Sequence, residues 1–257
     1  MAATGCVGIV DWGIGGLGLL GLLDDLAPDL RVVYWSDSGS VPYGLQRPAD
    51  LVSRLRAIVA GLADRGCTEV VLACNAASTV VGALGDAPVP VEGIIEHGIA
   101  VVPDSVEGVV GVVGGARTIR SGRYRRGLVR PGREVRSRIA QPLSAHIEEG
   151  RTTGPAFDGD LQRVLAPLRG ADAVVLACTH YPAAAAAFAE ALPGTCLFDP
   201  AVHLASAIAA RQPGGQGGDA GRAFVTTGDP DAMRRTAEAA WAMELPPVER
   251  VRSVGTS

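Results

Sequence analysis

The chain has no lysine; all 23 of its basic residues are arginine. That absence removes the Schiff-base anchor of a pyridoxal cofactor and the lysine of a Walker phosphate loop. Aromatic residues supply only 4% of a chain that is 47% hydrophobic, so small aliphatic side chains must build the core. Cysteine is sparse as well. Cys6, Cys67, Cys74, Cys178 and Cys196 form no Cys-x-x-Cys pair and no dense framework, as expected in a reducing cytoplasm. The first ten residues lack the basic start and long apolar stretch of an export signal, and no apolar run reaches membrane-spanning length. A cytoplasmic protein without membrane partners is expected. Net charge is −4 and the pI about 5.6. No basic run is long enough to follow a phosphate backbone, so nucleic acid is not an expected partner. The locally basic stretch 117–138 reads as a solvated face.

What the chain does have is repetition. Val-Val-Leu-Ala-Cys occurs at 70–74 and again at 174–178, an offset of 104. Val7-Gly-Ile-Val10 is echoed by Val110-Gly-Val-Val113, an offset of 103. Two matched pairs at almost one offset suggest two similar lobes, each delivering a cysteine from the end of a buried strand. A length of 257 residues accommodates one large domain or two small lobes. Hydrophobic patterning predicts strands over 7–11, 31–36, 69–73, 91–95, 108–113, 133–139, 173–177 and 223–227. Helices are predicted over 17–26, 48–65, 119–128, 160–168 and 182–192. Others start at Asn75, at Glu96, and at Asp229 or Asp231, the last running through Ala242. The Gly- and Gln-rich stretch 212–221 reads as a loop, and the tail after Pro246 as loose. Strands alternating with helices give an α/β fold with parallel sheets and right-handed crossovers.

In such sheets ligands sit beyond the carboxyl ends of the strands, where Asp11, Cys74 and Cys178 all fall. Free cysteine is a common core residue, but two strand-terminal cysteines in a duplicated sequence point to chemistry. Thiols facing each other across one cleft are placed to take a proton from one face of a carbon and return one to the other. Asn75 and Thr179 are suited to capping a following helix, whose N-terminus would lower a thiol's pKa towards that of a general base. His180 is placed to protonate or orient a group beside Cys178. Asp11 either serves Cys74 in the same way or caps the next helix. Gly13-Ile-Gly15-Gly-Leu-Gly18 matches the dinucleotide fingerprint, with Asp37 as the acidic ribose partner; this leaves a nucleotide reading open without explaining the cysteines. No ligand spacing supports a metal site, and a Cys74–Cys178 disulfide is not expected.

An ordered set of motifs resembles the cofactor-independent aspartate/glutamate racemase superfamily, most closely its glutamate racemases. It comprises Gly8-Ile-Val-Asp-Trp-Gly-Ile-Gly-Gly-Leu17, Asp37 with Val41-Pro-Tyr-Gly44, Ala73-Cys-Asn-Ala-Ala-Ser78, Gly93-Ile-Ile-Glu96, and Arg117-Thr-Ile-Arg-Ser121 with Tyr124. Glu148-Glu-Gly150, Cys178-Thr-His-Tyr-Pro182 and Phe198-Asp199 complete it. The resemblance implies two pseudosymmetric lobes with the active site between them, 1–97 with 206–257 forming one and 98–205 the other. It implies Cys74 and Cys178 as acid/base thiols, Asp11 and His180 assisting, with Glu148 a weaker member. Pro42, Tyr43, Gly44, Asn75, Thr118 and Thr179 would line the site of an amino acid or related carboxylate. No cofactor is implied; a homodimer stays open. Two positions depart from the pattern: Trp12 replaces a serine and Ala76 a threonine, each removing a hydroxyl beside the substrate. A changed substrate, or a binding homologue without catalysis, therefore stands beside glutamate racemisation.

Overall fold

Strands apolar on both faces belong in the middle of a layered α/β structure, and that is where they lie. The computed structural model describes residues 5–211 and 221–252, so of the expected loop 212–221 only Gly221 is described. Along the chain the strands are β1 (Cys6–Asp11), β2 (Arg31–Ser36), β3 (Glu69–Leu72), β4 (Val91–Gly93), β5 (Gly108–Gly114), β6 (Arg133–Ile139), β7 (Ala173–Ala177), β8 (Cys196–Phe198), β9 (Arg222–Thr226) and β10 (Val248–Arg250). They form two sheets, β10-β9-β2-β1-β3-β4 and β6-β5-β7-β8, with every pair parallel. The second sheet repeats the β2-β1-β3-β4 order of the first. Register repeats too, Val7 facing Glu69 and Val110 facing Ala173, so the offsets of 103 and 104 residues survive as a duplicated sheet.

Side chains alternate across each strand. Val7 and Ile9 enter one core with Leu17, Leu20, Leu23 and Tyr34; Cys6 and Val10 enter another with Leu51, Leu55, Ile58, Val59 and Leu62. Those last five form the buried stripe of the helix Pro48–Asp64, each worth about 1.5–3 kcal/mol of transfer free energy. Two further cores flank the second sheet, with Val113, Val174 and Leu176 on one side and Val110, Val112 and Val175 on the other.

Several boundaries differ from expectation for local reasons. The helix beginning at Asn75 stops at Ser78. The Ser78 hydroxyl bonds the Leu72 and Cys74 carbonyls, and Thr79 Oγ1 bonds the Ala76 carbonyl at 2.7 Å, so side chains share the acceptors while the backbone tightens, Thr79 N and Val80 N bonding the carbonyls three residues back. Ser78 Oγ also accepts from Ile94 N, ending β4 at Gly93 and opening the helix Ile94–Ala100. The single helix expected over 119–128 is two, Ala116–Ser121 and Arg123–Leu128, parted by Gly122 at φ +68. The tail is not loose throughout: β10 pairs with β9, and Glu249 lies 2.6 Å from Arg65. A helix not anticipated, Pro200–Arg211, buries Ala201, Leu204, Ala205 and Ile208 in a core of the first sheet. The seam set at 205/206 thus falls inside one helix.

Candidate active site

The order β2-β1-β3 reverses direction between β1 and β3, and the second sheet does the same between β5 and β7; such switch points open crevices at the strands' carboxyl ends. Asp11 ends β1. Beyond β3 the chain turns sharply, with Ala73 N and Cys74 N both donating to Val10 O at 3.0 and 3.4 Å. Cys74 itself, rather than Asn75, is the N-cap residue of Asn75–Ser78. Cys178 directly follows β7.

The two thiols line one cleft, of about 510 Å³ counted out to its mouth. Trp12, Pro42, Tyr43, Gly44, Asn75, Ala76, Thr118, Thr179 and His180 share that lining with Cys74 and Cys178. Of the acid/base and substrate residues that the resemblance implies, Asp11 and Glu148 stand outside this lining. Gly115, Arg117, Gln141, Ser144 and Ala177 complete it and were not anticipated. Arg117 was hidden in a basic run; Gln141 and Ser144 sit on the helix Gln141–Glu148, whose two buried apolar residues, Leu143 and Ile147, gave little periodic signal. Trp12 faces the cleft, its indole N–H donating to the Ser40 carbonyl at 3.0 Å.

Behind the thiols lies a chain of polar contacts between the sheets. Cys178 Sγ is 3.7 Å from His180 Nδ1, and His180 Nε2 is 2.6 Å from Glu148 Oε2. The same Glu148 oxygen accepts from Ile14 N at 3.0 Å. Asp11 accepts from Gly16 N at 2.9 Å and from the Thr179 hydroxyl at 3.4 Å. Thr179 therefore ties to Asp11 instead of capping the turn that follows. Burial pulls His180 down, but its hydrogen bonds to Cys178 and Glu148 outweigh that and hold it well above the ordinary histidine range. Burial raises Asp11, with the His180 charge opposing.

Cys74 departs from its sequence expectation. Burial, then the Asp11 charge, push its thiol well above the normal range, outweighing the Ala76 and Ala77 N–H groups that favour thiolate. The helix start was expected to lower it; a four-residue helix contributes too little against the burial and the Asp11 charge.

The glycine turn serves packing rather than phosphate. A Cβ on Gly13 would overlap the Glu148 carboxylate, and one on Gly15 would meet Thr179 Oγ1 at 2.5 Å and His180 Nδ1 at 2.7 Å. Its N–H groups at Ile14 and Gly16 already serve Glu148 and Asp11. Asp37 is fully buried and paired with Arg54, so it is not a ribose partner. Gly13→Ala is expected to displace Glu148 and to cost about 1–3 kcal/mol, read by denaturant unfolding. Among the described residues no three His, Cys, Asp or Glu side chains group to hold a metal ion, and no helix is long and apolar enough to cross a membrane.

Fold and site together define a duplicated α/β protein that presents one thiol from each repeat to a shared cleft. Comparison with known proteins carries this further. The family described as Asp/Glu/Hydantoin racemase matches residues 20–208. A glutamate racemase of Desulforudis audaxviator is 31% identical over 97% of this chain and 98% of its own length. One from Pseudomonas entomophila is 33% identical over 91% and 93%. The crystal structure of glutamate racemase from Thermus thermophilus in complex with beta-chloro-D-alanine superposes with a TM-score of 0.85 at 29% identity, covering 97% of each chain. The chain belongs to the Asp/Glu/Hydantoin racemase family and, with it, to the isomerases.

Proposed function

We propose that the chain is a glutamate racemase-like enzyme that inverts the α-carbon of an acidic amino acid with two cysteines. The observation that carries this reading is the shared cleft: Cys74 from the end of β3 and Cys178 from the end of β7 line it together. The relatives' names supply glutamate as the first substrate to test. The lobes assigned are 1–97 with 206–257 and 98–205, the helix Pro200–Arg211 bridging the seam.

Cys178, with His180 Nδ1 beside it to accept or return its proton, takes the α-proton as thiolate. Cys74, held as a thiol by burial and by Asp11, gives its proton to the opposite face. Turnover leaves Cys178 protonated and Cys74 as thiolate, the form that runs the reverse direction. The carbanion-like state between the two transfers calls for electrostatic support. Asn75 is the fitted donor. Tyr124 OH bonds its Oδ1 at 2.7 Å, while its Nδ2 is buried with no partner among the described residues, and a substrate carboxylate would satisfy that donor. Exchange of the α-proton with heavy water, followed by NMR over a panel of D- and L-amino acids including glutamate, tests the reading; no exchange with any of them would end it.

A second reading, a binding homologue without turnover, draws on Trp12, whose indole occupies part of the cleft wall. Thermal stabilisation by an amino acid without α-proton exchange would favour it.

The His180–Glu148 contact gives a pH test. Because the folded protein holds His180 above its ordinary value of 6.5, the stability this confers is complete below that pH and is lost as pH rises through the higher folded value. Glu148→Gln removes one of the groups holding it up. The stability deficit of Glu148→Gln against wild type should be larger near about pH 6 than near about pH 9.5 in denaturant unfolding. A gap that widens with pH contradicts the assignment.

A further inference from the structure

No Asp or Glu lines the cleft, and its two basic members are His180 and Arg117. His180 is matched by Glu148 at 2.6 Å. Arg117 is held differently. Its Nε donates to the Tyr43 carbonyl at 2.9 Å and its Nη2 to the Gln46 carbonyl, both neutral acceptors. These bonds reach from the helix Ala116–Ser121, after β5, to the loop after β2, so the guanidinium sits where the two sheets' loops meet. Burial draws its proton affinity down, offset only in part by the charge Cys74 can carry. A half-buried guanidinium held by carbonyls keeps a charge that an incoming anion would compensate. Two of its five N–H donors are used by those carbonyls, and the remaining fork suits a carboxylate.

We propose that Arg117 sets the side-chain class of the substrate: it binds a carboxylate carried beyond Cα, while the α-carboxylate lies with Asn75 between the thiols. This rests on the two-thiol racemase reading. Within the acidic substrates of that reading, Arg117 is the residue that discriminates against a neutral isostere. Arg117 is a specificity residue and takes no part in either proton transfer.

The experiment compares D-glutamate with D-glutamine by calorimetric binding and by α-proton exchange, in wild type, Arg117→Met, Arg117→Gln and Arg117→Lys. Gln keeps a donor for the Tyr43 carbonyl, so the loop retains a tie if the Met variant folds poorly. Met and Gln variants are expected to raise Kd and KM for glutamate about 10- to 100-fold, with a much smaller fall in kcat, and to leave the values for glutamine within about twofold. The Lys variant, which keeps the charge, should retain most of the preference. Equal weakening for both amino acids would reduce Arg117 to a loop prop and overturn the proposal, as would an unchanged ratio or a wild type that prefers neither. Wild type that binds glutamate selectively yet exchanges no α-proton would sink the racemase reading alone, the Kd ratios still deciding Arg117.

Discussion

Cys74→Ser and Cys178→Ser should each reduce α-proton exchange by about 10²- to 10⁴-fold, the range a positioned acid or base contributes. Serine keeps the shape but is a far poorer proton acceptor than thiolate at neutral pH. Neither thiol is a deep core residue; both are half-buried, so thermal unfolding should move little. The surroundings of the two sulfurs differ, and the two variants should differ accordingly. Cys178 has His180 at 3.7 Å, a group that can relay a proton in place of the lost thiol. Cys74 has Asp11, a buried carboxylate. The direction of turnover that asks each residue to act as base should therefore suffer most in its own variant. Wild-type exchange in either variant would remove the paired-thiol mechanism.

Arg54→Met should destabilise the protein by about 3–5 kcal/mol, the cost of stranding a buried charge, and lower Tm by roughly 10 °C for a chain of this size. Asp37 is fully buried and Arg54 nearly so. Arg54 Nη2 donates to Asp37 at 2.6 Å, joined by Tyr43 OH at 2.8 Å, Thr227 Oγ1 at 2.9 Å and Ser40 Oγ at 3.1 Å. Three segments meet there: the loop after β2, the helix Pro48–Asp64 and the end of β9. Tyr43 carries the effect to the cleft, because it is at once a partner of Asp37, a lining residue and, through its carbonyl, the acceptor for Arg117. The loss should come with weaker substrate binding as well. Adding Asp37→Asn to Arg54→Met should return part of the stability by removing the unpaired charge; no recovery would contradict this account.

Much of this architecture is legible in the amino-acid sequence. The Val-Val-Leu-Ala-Cys repeat fixed two strands, their direction and the terminal position of each thiol, because a parallel strand buried on both faces leaves an uninterrupted apolar run. Elements written in weaker periodicity were missed. The helix Gln141–Glu148 buries only Leu143 and Ile147, and β8 and β10 are three residues each. Long-range contacts left no local trace either. The glycines at 13 and 15 look like a phosphate loop in sequence, yet their missing Cβ atoms make room for Glu148, Thr179 and His180 from more than 130 residues away. Asp37 looked like a ribose ligand because its partner Arg54, 17 residues on, lies on the buried face of a helix whose other buried residues are apolar. The proton affinity of Cys74 differs from its sequence expectation for the same reason: the helix start is visible in sequence, while the burial and the facing Asp11 are not.

Two sulfurs serve one α-carbon from opposite faces, one removing its proton and the other supplying a new one. The measurement that tests it most directly is the position of deuterium during the first turnovers of a single glutamate enantiomer in heavy water, read by NMR and chiral separation. Transfer by two separate bases should place deuterium at the α-carbon of the product while the unreacted enantiomer still carries protium. Protium retained in the product, or deuterium entering the unreacted enantiomer as fast as product forms, would mean that one group serves both faces and would contradict the account.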